Sequence, residues 1–246
     1  MIVTPEDGHL RVITQNDHAH FAGELLSLWR GDSLPEHPRR RELIFAARQH
    51  DNGWRELDAA PPCDRVSGRP HDFLSLPQTE RREVWRRGTR RYATSEPYAT
   101  LLILEHALHL HRSHQDDPEW GETLREWREE KARLQEEIGA DEAEIAHDYR
   151  FIDLSDTLSL AVCNRWQEPL EHHTWHGTLS TGPDTLALAP FPLAGATTFR
   201  IPCRRIPNRR YHGDADLGGA LAAARWQELT VRVVPEAPSL GIVPTV

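Results

Sequence analysis

The sequence is poor in lysine, methionine and cysteine, with one, one and three of them in 246 residues. Lys131 is the sole lysine, so nearly all the positive charge is arginine, a compositional bias that carries no chemistry by itself. Cys63, Cys163 and Cys203 are odd in number, far apart and without any C-x-x-C pair, which argues against a disulfide framework and a thiolate zinc site. A reduced, cytoplasmic setting is expected. No apolar run approaches the ~18 residues of a spanning helix, and MIVTPEDGHL lacks a charged region followed by an apolar core, so a soluble, uncleaved chain with no membrane contact is expected. A formal charge of -9 argues against a general nucleic-acid binder. Arginine is locally dense in Arg39-Arg40-Arg41 and in RREVWRRGTRR, residues 81 to 91. These runs read as solvated helix faces, and Arg81, Arg82, Arg86 and Arg87 would meet a phosphate only if their helix bordered a site.

Histidine, by contrast, is abundant. There are fifteen, ten of which are His18 and His20, His50, the run His106, His109, His111 and His114, and the run His172, His173 and His176. Clustered imidazoles suggest metal ligation without establishing it.

Hydrophobic periodicity places these residues on elements. Residues 9 to 15 alternate like a strand, and Asn16 or Asp17 is a suitable cap for a helix to about Arg30 that carries His18, Ala22, Leu25 and Trp29 on one face. A second helix from about Arg39 to Asp51 aligns Leu43, Ala47 and His50, with Asp51 on the adjacent stripe, and Asn52-Gly53 reads as its stop. Residues 57 to 77 are rich in proline, glycine and aspartate and read as an irregular segment of the kind that covers sites. Helices follow over about 79 to 94, from Pro97 through the histidine run, over 118 to 138 as an exposed amphipathic helix or arm whose simplest role is a packing element, and from a cap at Asp141 to about Cys163. The last carries Asp156 in a stripe of Ile145, Tyr149, Ile152, Leu160 and Cys163. After Asn164 the segments WHGTLS, TLALAPF, TTFRIP and LTVRVV alternate like strands. The expected fold is mainly α: a helical metal-binding domain over residues 1 to 165, and a β-rich subdomain over 166 to 246 packed on the helices.

The oddity in this pattern is chemical. His18, His50-Asp51, His106 and Asp156 lie on apolar faces of separate helices. A buried, unpaired carboxylate costs several kcal/mol, so Asp51 and Asp156 require partners or a cation. Imidazoles and carboxylates meeting inside a bundle are how such folds build sites for manganese, magnesium, zinc or iron.

The order His18, His50-Asp51, then Asp156 in LSDTLSL resembles the H…HD…D signature of the HD-domain superfamily, helical metal-dependent phosphohydrolases and phosphodiesterases. ITQNDHAHFAGELLSLW, HDNGWRELDAAP, DFLSLP, PYATLLILEHALHL and YRFIDLSDTLSLAVC resemble, over nearly the whole chain, a bacterial family known only as a domain of unknown function. The resemblance implies an HD-domain-like bundle in which His18, His50, Asp51 and Asp156 hold one divalent ion. It further implies that Asp51 bridges to a second ion near His106 and His109. Asp58 and Asp72, after the pair, are candidates to accept a proton or orient a ligand histidine.

Three functions are compatible with this reading. The first is a metal-dependent hydrolase of phosphate esters, acting on a small phosphorylated or anionic molecule. The second is a di-iron oxygenase of the HD-domain type, for which His106 and His109 would supply further ligands. The third is a non-catalytic ligand-binding or interaction module, with the 118 to 138 helix contacting a partner. A homo-oligomer is compatible with each.

Overall fold

The structure, a computed structural model, describes residues 1–166, 170–172, 175–182 and 185–236, with side chains placed outside 167–184. The cluster of His172, His173 and His176 therefore lies outside the described side chains. The chain starts with a hairpin, β1 (Ile2–Glu6) and β2 (His9–Ile13). It continues through α1 (Gln15–Ser27), α2 (Arg40–Gln49), a short α3 (Arg55–Ala59), α4 (Gln78–Arg90), α5 (Pro97–Leu110), α6 (Pro118–Ile138) and α7 (Glu142–Cys163). Strands β3 (Leu170–His172), β4 (Trp175–Gly182), β5 (Thr185–Ala189) and β6 (Thr197–Pro207), then α8 (Asp214–Ala223) and β7 (Trp226–Pro235), complete it.

The helix limits follow local chemistry. Thr14 caps α1, its hydroxyl accepting from Asp17 N at 2.9 Å and donating to Asp17 Oδ2 at 2.6 Å, so the helix starts earlier than Asn16 or Asp17 would place it. Asp141 caps α7, accepting from Ala143 N at 2.6 Å. Pro97 and Pro118 open α5 and α6, where a missing N–H costs no hydrogen bond.

The chain is mainly helical but not all-α. Its strands form one curled seven-stranded sheet in the order β1-β2-β6-β7-β5-β4-β3. All neighbours are antiparallel except β5 and β7. The sheet draws on both sides of residue 165, because β2 pairs with β6 from His9↔Pro207 to Val12↔Arg204. Phe199, Ile201 and Cys203 on β6 and Val231 and Val233 on β7 face the helices, with Phe21 of α1 edge-on to Phe199 at 5.3 Å. Leu10, Val12 and Ile206 face the other way, onto Leu217 and Leu221 of α8. Arg11, buried in β2, donates to the Cys163 carbonyl at 3.0 Å and so ties the sheet to the last turn of α7.

α6 is not an arm. Trp120, Leu124, Trp127 and Leu134 are buried in the main core, leaving its charged face outward. α1, α2, α5 and α7 surround the middle of that core, which brings the predicted ionisable residues together.

Candidate metal centre

Two close helix contacts set the site. A Cβ on Gly23 of α1 would fall 2.6 Å from Arg48 Cβ and 2.9 Å from its Cα, so only glycine lets α1 and α2 approach this closely. As a result the rings of His18 and His50 stand 5.0 Å apart, edge to face. Gly53 has the same role towards α4, where an added Cβ would fall 2.0 Å from the Val84 carbonyl oxygen and 2.9 Å from Gly88 N. Asn52 secures the junction by donating to Gln49 O at 2.8 Å and Gly88 O at 3.0 Å. Asn52-Gly53 opens a short 3-10 turn, Asn52–Trp54, that leads straight into α3, and is thus a docking point for α4 rather than a break that releases the chain.

Within this frame His18, His50, Asp51, His106 and Asp156 are all buried and converge. Their tautomers follow from their outer partners. His50 donates from Nδ1 to the Ala47 carbonyl at 2.8 Å, which leaves the Nε2 lone pair facing Asp156 Oδ1 at 3.2 Å and Asp51 Oδ2 at 3.7 Å. Ser159 donates its hydroxyl proton to the Asp156 carbonyl at 2.9 Å and accepts from His18 Nδ1 at 2.8 Å. The His18 Nε2 lone pair then faces Asp51 Oδ2 at 2.8 Å. Two imidazole lone pairs therefore point at two carboxylates inside the protein. Acceptors so arranged need a positive charge between them, either a proton or a metal ion.

The electrostatics agree. Burial disfavours a charged His50, but Asp156 and Asp51 outweigh it and raise the imidazole to about 9. Burial likewise opposes ionisation of Asp51 and Asp156, yet His50 above all holds both below the usual carboxylate range. The cluster without an ion draws in a proton. His106 sits at the edge, its Nε2 3.7 Å from Asp156 Oδ2 and its Nδ1 3.2 Å from the Tyr149 hydroxyl. Burial brings it down to about 4, so it is a neutral donor at ordinary pH.

The donor set fits a divalent ion. His18, His50 and Asp51 make one group of nitrogen and oxygen donors, and His50, His106 and Asp156 make an overlapping group that shares His50. His109 is outside both. It lies one turn beyond His106, partly exposed, with its ring 5.4 Å from that of Tyr149. Asp58 is buried behind the cluster. Its oxygens take Met1 N at 2.7 Å and Gln15 N at 2.6 Å, while the Gln15 side chain donates to Asp51 Oδ2 at 3.0 Å. Asp58 thus supports Asp51 through Gln15. Asp72 accepts from Leu74 N and Ser75 N at 3.0 and 2.7 Å and shapes the turn before α4.

A cavity of about 190 Å³ opens onto this cluster, reaching Asp51, His106 and Asp156. Its walls include Trp54, Phe73, Trp85 and Leu160, and neither Asp58 nor Asp72 lines it. Gln15, Arg81, His111 and His114 also line it. No periodicity in the sequence points to Gln15, which precedes the apolar stripe of α1. Arg81 is the single arginine of the 81 to 91 run that reaches the cavity.

A second group, His37, His147 and Asp148, is held by contacts to neighbouring elements. Arg39 N donates to His37 Nδ1 at 3.2 Å, which puts the ring proton on Nε2, 3.1 Å from Asp148 Oδ1. The Tyr98 hydroxyl donates to Asp148 Oδ2 at 2.6 Å. That group is a strut between α5, α7 and the loop before α2.

A mainly helical bundle closed against a curled sheet, with buried imidazoles and carboxylates at the end of a small cavity, defines a protein with a candidate metal centre. The chain belongs to the family described as protein of unknown function (DUF3891), whose profile matches residues 1–208, just past the end of β6. No curated protein and no solved structure matches it.

Proposed function

We propose that this chain is a divalent-metal-dependent hydrolase of small phosphate esters, built on an HD-domain-like ligand set. The observation that carries the reading is the pair of imidazole lone pairs, on His18 and His50, facing Asp51 and Asp156 beneath an accessible cavity. His18, His50, Asp51 and Asp156 would hold the ion, and His106 would adjoin a second position. When bound, the ion supplies Lewis acidity that activates water and neutralises phosphoryl charge.

The chain's own residues provide the setting. Ala47 and Ser159 fix the two imidazoles, and Gln15 fixes Asp51 while leaving its buried Oε1 without a partner beside the cavity. That oxygen is placed to accept from a water or a substrate hydroxyl. His106, neutral at ordinary pH, lies beside Asp156 at the edge of the cavity. Trp54, Trp85, Phe73 and Leu160 exclude bulk water and limit the substrate to a small molecule, since pockets for drug-sized ligands run to roughly 300–1,000 Å³.

The test is elemental analysis of untagged protein, followed by turnover of p-nitrophenyl phosphate with and without the ion found. His50→Ala and Asp156→Ala are expected to lose the metal and all activity while remaining folded enough to melt cooperatively. Unchanged metal content in both variants refutes the ligand assignment. Iron with dioxygen-dependent turnover and no phosphatase activity would instead support the oxygenase reading.

A further inference from the structure

α4 carries a dense run of arginines, and their partners separate one of them from the rest. Arg82 pairs with Glu119 at 2.7 Å, Arg86 with Glu83 at 3.1 Å, Arg90 with Glu126 at 3.8 Å, and Arg87 and Arg91 with Glu56 at 3.6 and 2.5 Å. Arg81 has no carboxylate at ion-pair distance among the described residues. Its Nη2 donates to the Leu74 and Leu76 carbonyls at 2.6 and 3.2 Å, and its buried Nε has no acceptor. Asp72 acts on Arg81 only at longer range, its Oδ1 already accepting two backbone N–H groups. A half-buried guanidinium with an unused donor is a costly arrangement unless an anion completes it.

The cavity lining holds a second incomplete group. His111 is 6 % exposed, packs its ring 4.2 Å from that of Trp120 and 5.5 Å from that of Trp85, and has no hydrogen-bond partner for its buried Nε2. Arg81 holds the carbonyl of Leu74, which is 69 % exposed, and so stands at the mouth, whereas Asp51 and Asp156 are buried at the floor. Five residues of helical rise, roughly 7.5 Å, separate His106 at the floor from His111.

We infer that Arg81 and His111 form a recognition subsite for a second anionic group, so that the substrate is a small phosphate ester whose organic part carries a carboxylate. This rests on the hydrolase reading for the phosphoryl end. Arg81 offers its positive charge and its unused Nε donor to a carboxylate, and His111, in the tautomer with its proton on Nε2, donates to one of the carboxylate oxygens. Trp85 and Phe73 cover the short carbon chain between the two ends.

The test uses two non-hydrolysable probes of similar length, 3-phosphonopropionate and propylphosphonate, titrated calorimetrically into the full-length protein loaded with the metal found in it. The wild type is expected to prefer the carboxylate-bearing probe by about tenfold or more. Arg81→Gln and His111→Gln are each expected to bring the two probes towards equal affinity, and where one variant does not fold the other decides. Equal affinities in the wild type overturn the subsite and leave the hydrolase reading standing. A preference that persists in Arg81→Gln places the carboxylate on the metal and also overturns it. Absence of metal from the chain counts against the hydrolase reading separately, before either probe is added.

Discussion

A single hydroxyl decides which nitrogen of His18 is free. Ser159 donates to the Asp156 carbonyl and accepts from His18 Nδ1, so it fixes the lone pair on Nε2 and links the two ligands through its own helix. Removal of that hydroxyl leaves His18 able to take either tautomer or to rotate. Ser159→Ala is therefore expected to weaken metal binding about 10- to 100-fold, the usual effect of losing a partner of a ligand histidine. Metal titration against a competing chelator measures this. Stability without the ion is expected to fall by about 1–3 kcal/mol, because the buried His18 Nδ1 loses its acceptor. An unchanged metal affinity would mean that the tautomer is set elsewhere.

At the scale of the elements, Gly53 determines whether α4 can reach the site. Its contacts at 2.0 and 2.9 Å are with backbone atoms of Val84 and Gly88, which cannot turn aside as a flexible side chain can. Gly53→Ala is expected to cost about 3 kcal/mol or to push α4 outward, carrying Trp85 and Arg81 from the cavity. Chemical denaturation reads the first outcome, and weaker ligand binding in folded protein reads the second.

The same contact explains how much of the site was legible in the sequence. His18, His50, Asp51, His106 and Asp156 stood out because each interrupts an apolar stripe on its own helix, a local signal. Asp141 and Pro97 marked helix starts in the same way. Arg81, His111 and Gln15 gave no such signal, because their place at the cavity depends on how α4, α5 and α1 pack. β1 was hidden because IVTPE contains a proline and shows no clean alternation, and it is held in the sheet by pairing with β2. α6 has one narrow buried stripe on a charged helix, a pattern that an arm and a packed helix share.

For the molecule as a whole, the cluster links stability to pH with a sign that depends on the ion. Without metal, His50 is raised from 6.5 to about 9, so its contribution is complete below pH 6.5 and is lost as pH rises through 9. The depressed Asp51 and Asp156 contribute above their unfolded value of 3.8 and lose that contribution as pH falls. His106, lowered to about 4, acts oppositely to His50 below pH 6.5, which leaves 6.5 to 9 as the window governed by His50. Metal must displace the proton from His50, so its stabilisation grows across that window. The melting-temperature gap between metal-loaded and chelator-treated protein is expected to widen steadily from pH 6.5 to 9. A gap that stays constant or narrows would show that no proton is exchanged for the ion.

The pairing of β2 with β6 also imposes an order of events on a growing chain. By the time residue 163 leaves the ribosome every residue of the buried His/Asp cluster has been made. β2, however, must wait for residues 204 to 207 before its open edge is covered. For that interval the His and Asp residues of the cluster are all present while an unpaired strand is still available to neighbouring chains, so a crowded polysome is where this fold is most exposed to mispairing.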